Sequence, residues 1–361
     1  MNLPTPSLVI DLPTVKRNIA QLADYGRQHK LSIRPHAKTH KSLRMAKLQL
    51  DAGAVGLTVA KAGEAITMAE VCRDVFVAYP ALDPYRREKL AHLARTHTVR
   101  VGFDSVEAAD ALGAAEREAG TTLGALVDLD VGVHRTGVQS PADALALAQH
   151  ISRTPGLRLD GIMCYPGQIK HPTREQPALL SPIAALLQET IDLWRRAGLE
   201  PKIVSGGSSP TAFQSHLIPQ LTEIRPGTYI YNDMSQVACG YATLDDCAAR
   251  LTCTVVSTAV PGKFVLDAGS KALTQDRRAD SPDTAGFGHV VEYPQAKIVK
   301  LTEEHAEVDA SKCAGRPKVG QRVHVIPNHI CPCVNLQTMV WVKDGDSELE
   351  PMPIDARGQV W

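Results

Sequence analysis

The sequence predicts an α/β protein, a (β/α)8 TIM barrel followed by a mostly β domain. Three observations lead there. From residue 13 to about 230, helical segments rich in Ala, Leu, Glu and Arg alternate with short runs of Val, Ile and Leu. About eight such alternations occupy roughly 220 residues, the repeat number and length of a barrel. After about residue 235 the texture changes to β-rich segments joined by Gly and Pro turns.

The elements follow in order. PTVKRNIAQLADYGRQHK opens with Pro13 and sets Val15, Ile19 and Leu22 at helical spacing. LSIRP reads as strand, SLRMAKLQLDAG as a helix ending near Gly53, and AVGLTVA as strand. KAGEAITMAEVC is helix and DVFVAYP strand; PYRREKLAHLART is helix and VRVGFD strand. SVEAADALGAAEREAG is a helix with Ser105 as its cap and Gly120 as its stop. LGALVDLDVG is strand, PADALALAQHISRT helix, RLDGIMCYPG strand and PALLSPIAALLQETIDLWRRAG a long helix. PKIVSGGSS and LTEIRPGTY complete the set. These strands are short and nearly all apolar, as strands buried on both faces must be. A doubly wound sheet would carry G-x-G-x-x-G after its first strand; PHAKTH stands there instead. The expected division is a barrel over 12–235 and a β domain over 236–361, which residues 1–11 can join. CAARLTCTVVSTAV, KFVLDAGS, KIVKLTEEHAEVDA, RVHVIPNHICP and QTMVWVKDG are its β segments.

Composition narrows the function classes. Lys+Arg and Asp+Glu are both 39 in 361 residues, so the formal net charge is zero. That argues against a general nucleic-acid or membrane-surface binder, which needs excess positive charge. MNLPTPSLVIDLP lacks the basic start and long apolar core of a signal peptide. No apolar run approaches the roughly 18 residues of a membrane span. The eight cysteines are scattered without a disulfide pattern, so reduced thiols in the cytoplasm are expected.

Four stretches carry chemistry. SIRPHAKTHKS places Arg34, His36, Lys38, His40 and Lys41 just after the first barrel strand. Barrels react at the carboxyl ends of their strands, so this basic cluster can line the mouth and bind anions or carbonyls. A lysine with cationic neighbours and partial desolvation has a lowered pKa and can form a Schiff base with an aldehyde. The alternative is a solvated basic loop. VSGGSSP sets Gly206, Gly207 and Ser208 after a late strand, where backbone amides form a phosphate nest; an ordinary Gly-Ser turn is the alternative. DLDVGVHRTGV puts Arg135 and Thr136 after another strand. The planar fork of Arg135 suits a phenolate or carboxylate, and an ion pair with Asp128 or Asp130 is the alternative. In PNHICPCVNL, an extended strand would point His329 and Cys331 to one side. Imidazole plus thiolate suits Zn²⁺, with Cys333 as a third donor if the alternation continues. His36 and His40 are a rival pair that requires a helix.

In this order the stretches resemble fold-type III pyridoxal-phosphate (PLP) enzymes, the D-threonine aldolase and D-serine dehydratase group with its alanine-racemase-like barrel. The resemblance covers nearly the whole chain: TPSLVIDLPTVKRNI, RPHAKTHKS, YPGQ, SGGSSPT, EIRPGTYIYNDMSQ and NHICPCVNL. It implies that Lys38 carries the cofactor and that Arg135 contacts its ring or 3-hydroxyl. It implies that Gly206, Gly207 and Ser208 hold the phosphate with Tyr229 close by, and that Tyr165 also lines the cofactor. It implies that His329 and Cys331 ligate a divalent metal (Zn, Mn, Co or Mg). The implied function is a PLP- and metal-dependent lyase of D-3-hydroxy amino acids. The D-threonine aldolase type cleaves them to glycine and an aldehyde. The alternative is a D-serine or D-3-hydroxyaspartate dehydratase giving a 2-oxo acid and ammonia. The cysteine of H-x-C leans towards dehydratases, since some aldolases carry a carboxylate there. An amino-acid racemase or a non-catalytic PLP carrier is a further alternative. The implied partners are a small D-amino acid and a second copy in a homodimer, with no nucleic acid and no membrane.

Overall fold

The computed structural model describes residues 3–278 and 285–361. They form two compact units, one of residues up to Asn18 with Thr228–Arg357, the other of Ile19–Gly227 with Gly358–Trp361.

The second of these is the barrel. Its eight strands are Ser32–Ile33, Leu57–Val59, Asp74–Val77, Thr98–Phe103, Leu123–Asp128, Leu157–Met163, Ile203–Gly206 and Glu223–Ile224. From Leu57–Val59 onward each pairs in parallel with the next, and Glu223–Ile224 pairs with Ser32–Ile33. The ring closes where Val55 N donates to Ile33 O (2.9 Å) and Thr58 N to Pro35 O (2.8 Å), with a parallel bridge from His36 to Thr58.

Burial on both faces explains the strand composition. Every residue of Leu123–Asp128 is buried, and Phe76, Leu126 and Met163 pack together with Ala78 and Ile203 against them. The helix Val106–Ala119 starts where Ser105 Oγ accepts the Ala108 amide. It ends at Gly120, whose φ of +69° is the left-handed region that glycine reaches without steric cost. Gln176–Arg196 supplies the large anchor Trp194, which is fully buried.

Six charged residues of the barrel unit form a chain of ion pairs. Arg34 Nε donates to both Glu223 oxygens (3.1 and 2.9 Å) and its Nη1 to Asp74 Oδ1 (2.7 Å). Arg100 bonds Asp74 and, through Nε, Asp160 Oδ2 at 2.8 Å; Arg158 Nε reaches Asp160 Oδ1 at 2.6 Å. A charge in such a place without a partner would cost several kcal/mol, so the chain of ion pairs is obligatory once its members are inside.

The other unit is a mainly antiparallel sheet of nine strands. Ser7–Asp11 runs antiparallel to Ala249–Ser257 and parallel to Met339–Lys343. Arg322–Ile326 pairs with Ala249–Ser257 on its other edge. Here one sequence expectation is corrected. RVHVIPNHICP is not extended throughout: the strand stops at Ile326, and a helix spans Ile330–Leu336 with His329 at its N-cap. Pro327 has no N–H for the ladder. Asp233 Oδ2 accepts the Ile330 amide at 3.0 Å, satisfying one of the donors a helix start leaves free. His329 and Cys331 therefore do not share a strand face.

Candidate active site

The barrel unit gathers most of the candidate residues at the carboxyl ends of its strands. Lys38, an exposed side chain, lies on the short 3-10 turn Ala37–Thr39 that follows Ser32–Ile33. His36 caps this turn, its Nδ1 accepting the Lys38 amide at 3.4 Å. Burial, then the charges of Lys38 and Arg225, hold His36 well below the usual histidine range, so it is neutral at pH 7. His40 is wholly buried. Its Nδ1 accepts the Ser42 amide (3.1 Å), so Nε2 carries the proton and donates to Gln49 Oε1 (3.1 Å). Burial pushes its pKa down to about 4. With both ring nitrogens occupied, His40 does not form a metal pair with His36.

Gly206 ends the strand Ile203–Gly206, and Gly207 and Ser208 follow it. Gly207 has φ +78°, and a Cβ there would meet Ile224 Cβ and Cγ2 at 3.2 Å and Ser215 Oγ at 3.3 Å. Gly227 is equally close-set: a Cβ would lie 2.9 Å from Thr39 Oγ1 and 3.1 Å from His36 Cβ. Its amide donates to Ser209 Oγ at 3.1 Å. Only glycine lets the RPG segment lie between the Lys38 turn and the SGGS turn. That close backbone approach is the cradle a phosphorylated aldehyde cofactor requires, so the residues fit PLP.

Arg135 is exposed in the loop after Leu123–Asp128, its guanidinium carbon 5.2 Å from the Tyr165 ring centroid. The two nearby aspartates are engaged elsewhere. Thr136 Oγ1 donates to Asp128 Oδ2 (2.9 Å), and His134 Nδ1 pairs with Asp130 Oδ2 (2.8 Å). Burial pushes the Asp128 carboxyl up to about 6. Burial would also raise Asp130, but the amides of His134 and Gly132 outweigh it and hold its pKa below the usual value.

Arg225 is a buried charge that sequence reading passed over, although it stands inside EIRPGTYIYND. It is buried directly after the last barrel strand. Nη1 donates to Ser205 Oγ (2.6 Å), Nη2 to Cys164 O (2.9 Å), and the guanidinium lies 5.3 Å from the Phe76 ring centroid. Ser205 Oγ in turn donates to Glu223 Oε1 at 2.6 Å. The local signal was a charge one residue past a buried strand.

Tyr229, His329 and Cys331 belong to the sheet-bearing unit. Tyr229 is buried in the turn Thr228–Ile230, and Thr228 Oγ1 lies 3.7 Å from Cys331 Sγ. Burial would lower the His329 pKa. The hydrogen bond and charge of Cys331, with Asp233 and Asp276, instead raise it to about 9. His329 Nδ1 is 3.3 Å from Asp276 Oδ2. Imidazole and thiol thus meet in spite of the helix. Cys333 points elsewhere, its Sγ against Leu273 O at 3.1 Å. Among the described residues no three His, Cys, Asp or Glu side chains cluster as a complete metal cage. The His329–Cys331 pair fits a metal that takes its remaining ligands from water and substrate.

Comparison with known proteins places the whole chain among relatives. Residues 10–235 match the family model "Alanine racemase, N-terminal domain", and residues 248–342 match "Putative serine dehydratase domain". The chain is 31% identical to D-threonine aldolase of Arthrobacter sp., covering 98% of this chain and 93% of that one. It is 32% identical to D-threo-3-hydroxyaspartate dehydratase of Delftia sp., covering 92% of each. The crystal structure of D-threonine aldolase from Filomicrobium marinum superposes with a TM-score of 0.91 at 28% identity, over 99% of this chain and 97% of that one. No helix among the described residues is long and apolar enough to cross a membrane. With a family model spanning more than half its length and these relatives along the rest, the chain belongs to the alanine-racemase-like family of PLP-dependent lyases that includes the D-threonine aldolases and D-serine dehydratases.

Proposed function

We propose that this chain is a PLP- and divalent-metal-dependent lyase of D-3-hydroxy amino acids, of the D-threonine aldolase type. The observation that carries the reading is the close approach of the Lys38 turn, Gly227 and the Gly207 turn within one barrel. When bound there, PLP supplies an electron sink for negative charge developing at the substrate Cα. Lys38 would hold the cofactor through its aldehyde, and Gly206, Gly207 and Ser208 would hold its phosphate. Arg135 and Tyr165 would border its ring. His36, held neutral by burial, caps the turn that bears Lys38. His329 and Cys331 would hold the metal, whose Lewis acidity serves the substrate 3-hydroxyl. Taking the hydroxyl proton leads to Cα–Cβ cleavage; taking the α-proton leads to loss of hydroxide.

A second reading, the dehydratase, is favoured by one observation: the donor beside His329 is the thiol of Cys331. Incubating the PLP-loaded protein with D-threonine decides between them. Acetaldehyde with glycine supports the aldolase, and 2-oxobutanoate with ammonia supports the dehydratase. Turnover of neither D-threonine, D-serine nor D-3-hydroxyaspartate would overturn both. A homodimer working in the cytosol belongs to the same proposal. The eight cysteines form no disulfide with one another, consistent with a reducing compartment, and light scattering tests the dimer.

A further inference from the structure

We propose that the buried ion pair Lys41–Glu64 positions Lys38, holding the turn that bears it in the conformation from which its amine reacts with the cofactor. The inference rests on the assignment of Lys38 to PLP made above, and deepens it.

Lys41 Nζ lies 3.2 Å from Glu64 Oε1, with only 6% and 3% of the two side chains exposed. The other Glu64 oxygen accepts the Ala60 amide at 2.7 Å. Glu64 therefore joins the Lys38 turn to the segment that follows the strand Leu57–Val59. Its own helix, Ala62–Met68, is braced at the start by the Gly63 amide donating to Trp361 O at 3.1 Å.

The backbone at Lys41 says why such a brace is needed. Its φ is +48°, the left-handed region, and its amide closes the turn onto Ala37 O at 2.8 Å. A residue with a Cβ adopts that conformation only against steric strain, and keeps it only where the surroundings over-determine it. His40, on the amino side, is locked between Gln49 and the Ser42 amide. On the other side the ion pair supplies the lock. As a contribution to stability alone it is a poor device, because desolvation of two charges cancels most of their attraction. Its placement three residues from Lys38, across a strained backbone, gives it a role in geometry.

The test compares wild type, Glu64→Gln, Lys41→Met and the double variant. Each apoprotein is titrated with PLP and followed near ~420 nm, where PLP joined to a lysine absorbs. Borohydride trapping and peptide mass analysis then locate the label, and thermal unfolding is recorded alongside. Wild type should be labelled at Lys38. Each single variant should bind PLP on the order of tenfold more weakly, and the double variant no more weakly than the worse single one. A global loss of stability would lower the unfolding temperature without this non-additive loss of cofactor affinity.

If Glu64→Gln labels Lys38 with an affinity within twofold of wild type, or if the two losses simply add, the positioning role is overturned. Label absent from Lys38 in wild type itself would instead overturn the assignment of the lysine, and this inference with it. Should Glu64→Gln fail to fold, Glu64→Asp keeps the charge but shortens the arm. It is expected to bind PLP between threefold and tenfold more weakly, and an unchanged affinity would again refute the role.

Discussion

Gly207→Ala should weaken PLP binding by one to two orders of magnitude while leaving the barrel folded. Gly207 sits at φ +78°, where an alanine costs about 1–2 kcal/mol. The added methyl would meet Ile224 Cβ and Cγ2 at 3.2 Å and Ser215 Oγ at 3.3 Å. Ile224 Cβ is fixed to a strand backbone and cannot rotate away, so crowding adds about 1 kcal/mol. The turn relieves this strain by opening, which turns its amides away from the phosphate position. Binding must then restore the closed turn against about 2–3 kcal/mol, and affinity falls by roughly 30- to 140-fold. The assay is titration of apoprotein with PLP by absorbance and calorimetry, with thermal unfolding of the apo form as control. Inorganic phosphate should lose its competition with PLP in parallel. An affinity within threefold of wild type would show that the SGGS turn does not hold the phosphate in a closed conformation.

Glu116 is buried, with Oε2 accepting from Thr121 Oγ1 (2.6 Å) and Oε1 lacking a hydrogen-bond partner; burial pushes its pKa from 4.5 to about 7. The folded state therefore holds this proton more tightly than the unfolded one, and wild-type stability falls as pH rises from 4.5 to 7. E116Q should remove that slope and gain about 2 kcal/mol relative to wild type between pH 4.5 and 8 in urea unfolding; parallel curves would refute it. Glu223→Gln should lower the unfolding temperature by roughly 6–12 °C, since Arg34 loses one buried partner while keeping Asp74, a cost of about 3 kcal/mol. A shift under about 1 °C in calorimetry would mean the ion-pair chain carries no net stability. Lys38→Ala should abolish the absorbance near ~420 nm and all turnover, and wild type that stays colourless with added PLP would remove the cofactor assignment.

The barrel was legible because its strands are buried on both faces. Such strands read as apolar runs with no polar alternation, and Leu123–Asp128 is buried at every position. The basic cluster and the Gly-Ser turn were legible for the same reason: each begins where an apolar run stops, at the reactive end of a barrel strand. The helix at Ile330–Leu336 was not legible. Period-two reading carried past Pro327 because nothing nearby says otherwise, and the group that starts the helix is Asp233, distant in sequence. Even so, His329 and Cys331 come within hydrogen-bonding reach, through a helix start where a strand face had been expected.

The charged interior shows what a sequence can demand without naming. Arg34, Asp74, Arg100, Arg158, Asp160 and Glu223 each stand within or beside an apolar strand run. A strand buried on both faces cannot carry an isolated charge, because desolvation would cost more than the fold can offset. The buried members were therefore bound to pair, and they do, through Asp74 and Asp160 at the centre and Glu223 at one end, with the half-exposed Arg158 at the other. Which partner each would take depends on the stagger between neighbouring strands, a property of ring closure and not of any local stretch. Arg225 lies at the end of that chain, held by Ser205, which is held by Glu223. Its place beside the Lys38 turn is thus set by contacts between strands far apart in the chain. In this protein the candidate site residues announce themselves by type and by position after a strand. The residues that aim them become visible only once the barrel has closed.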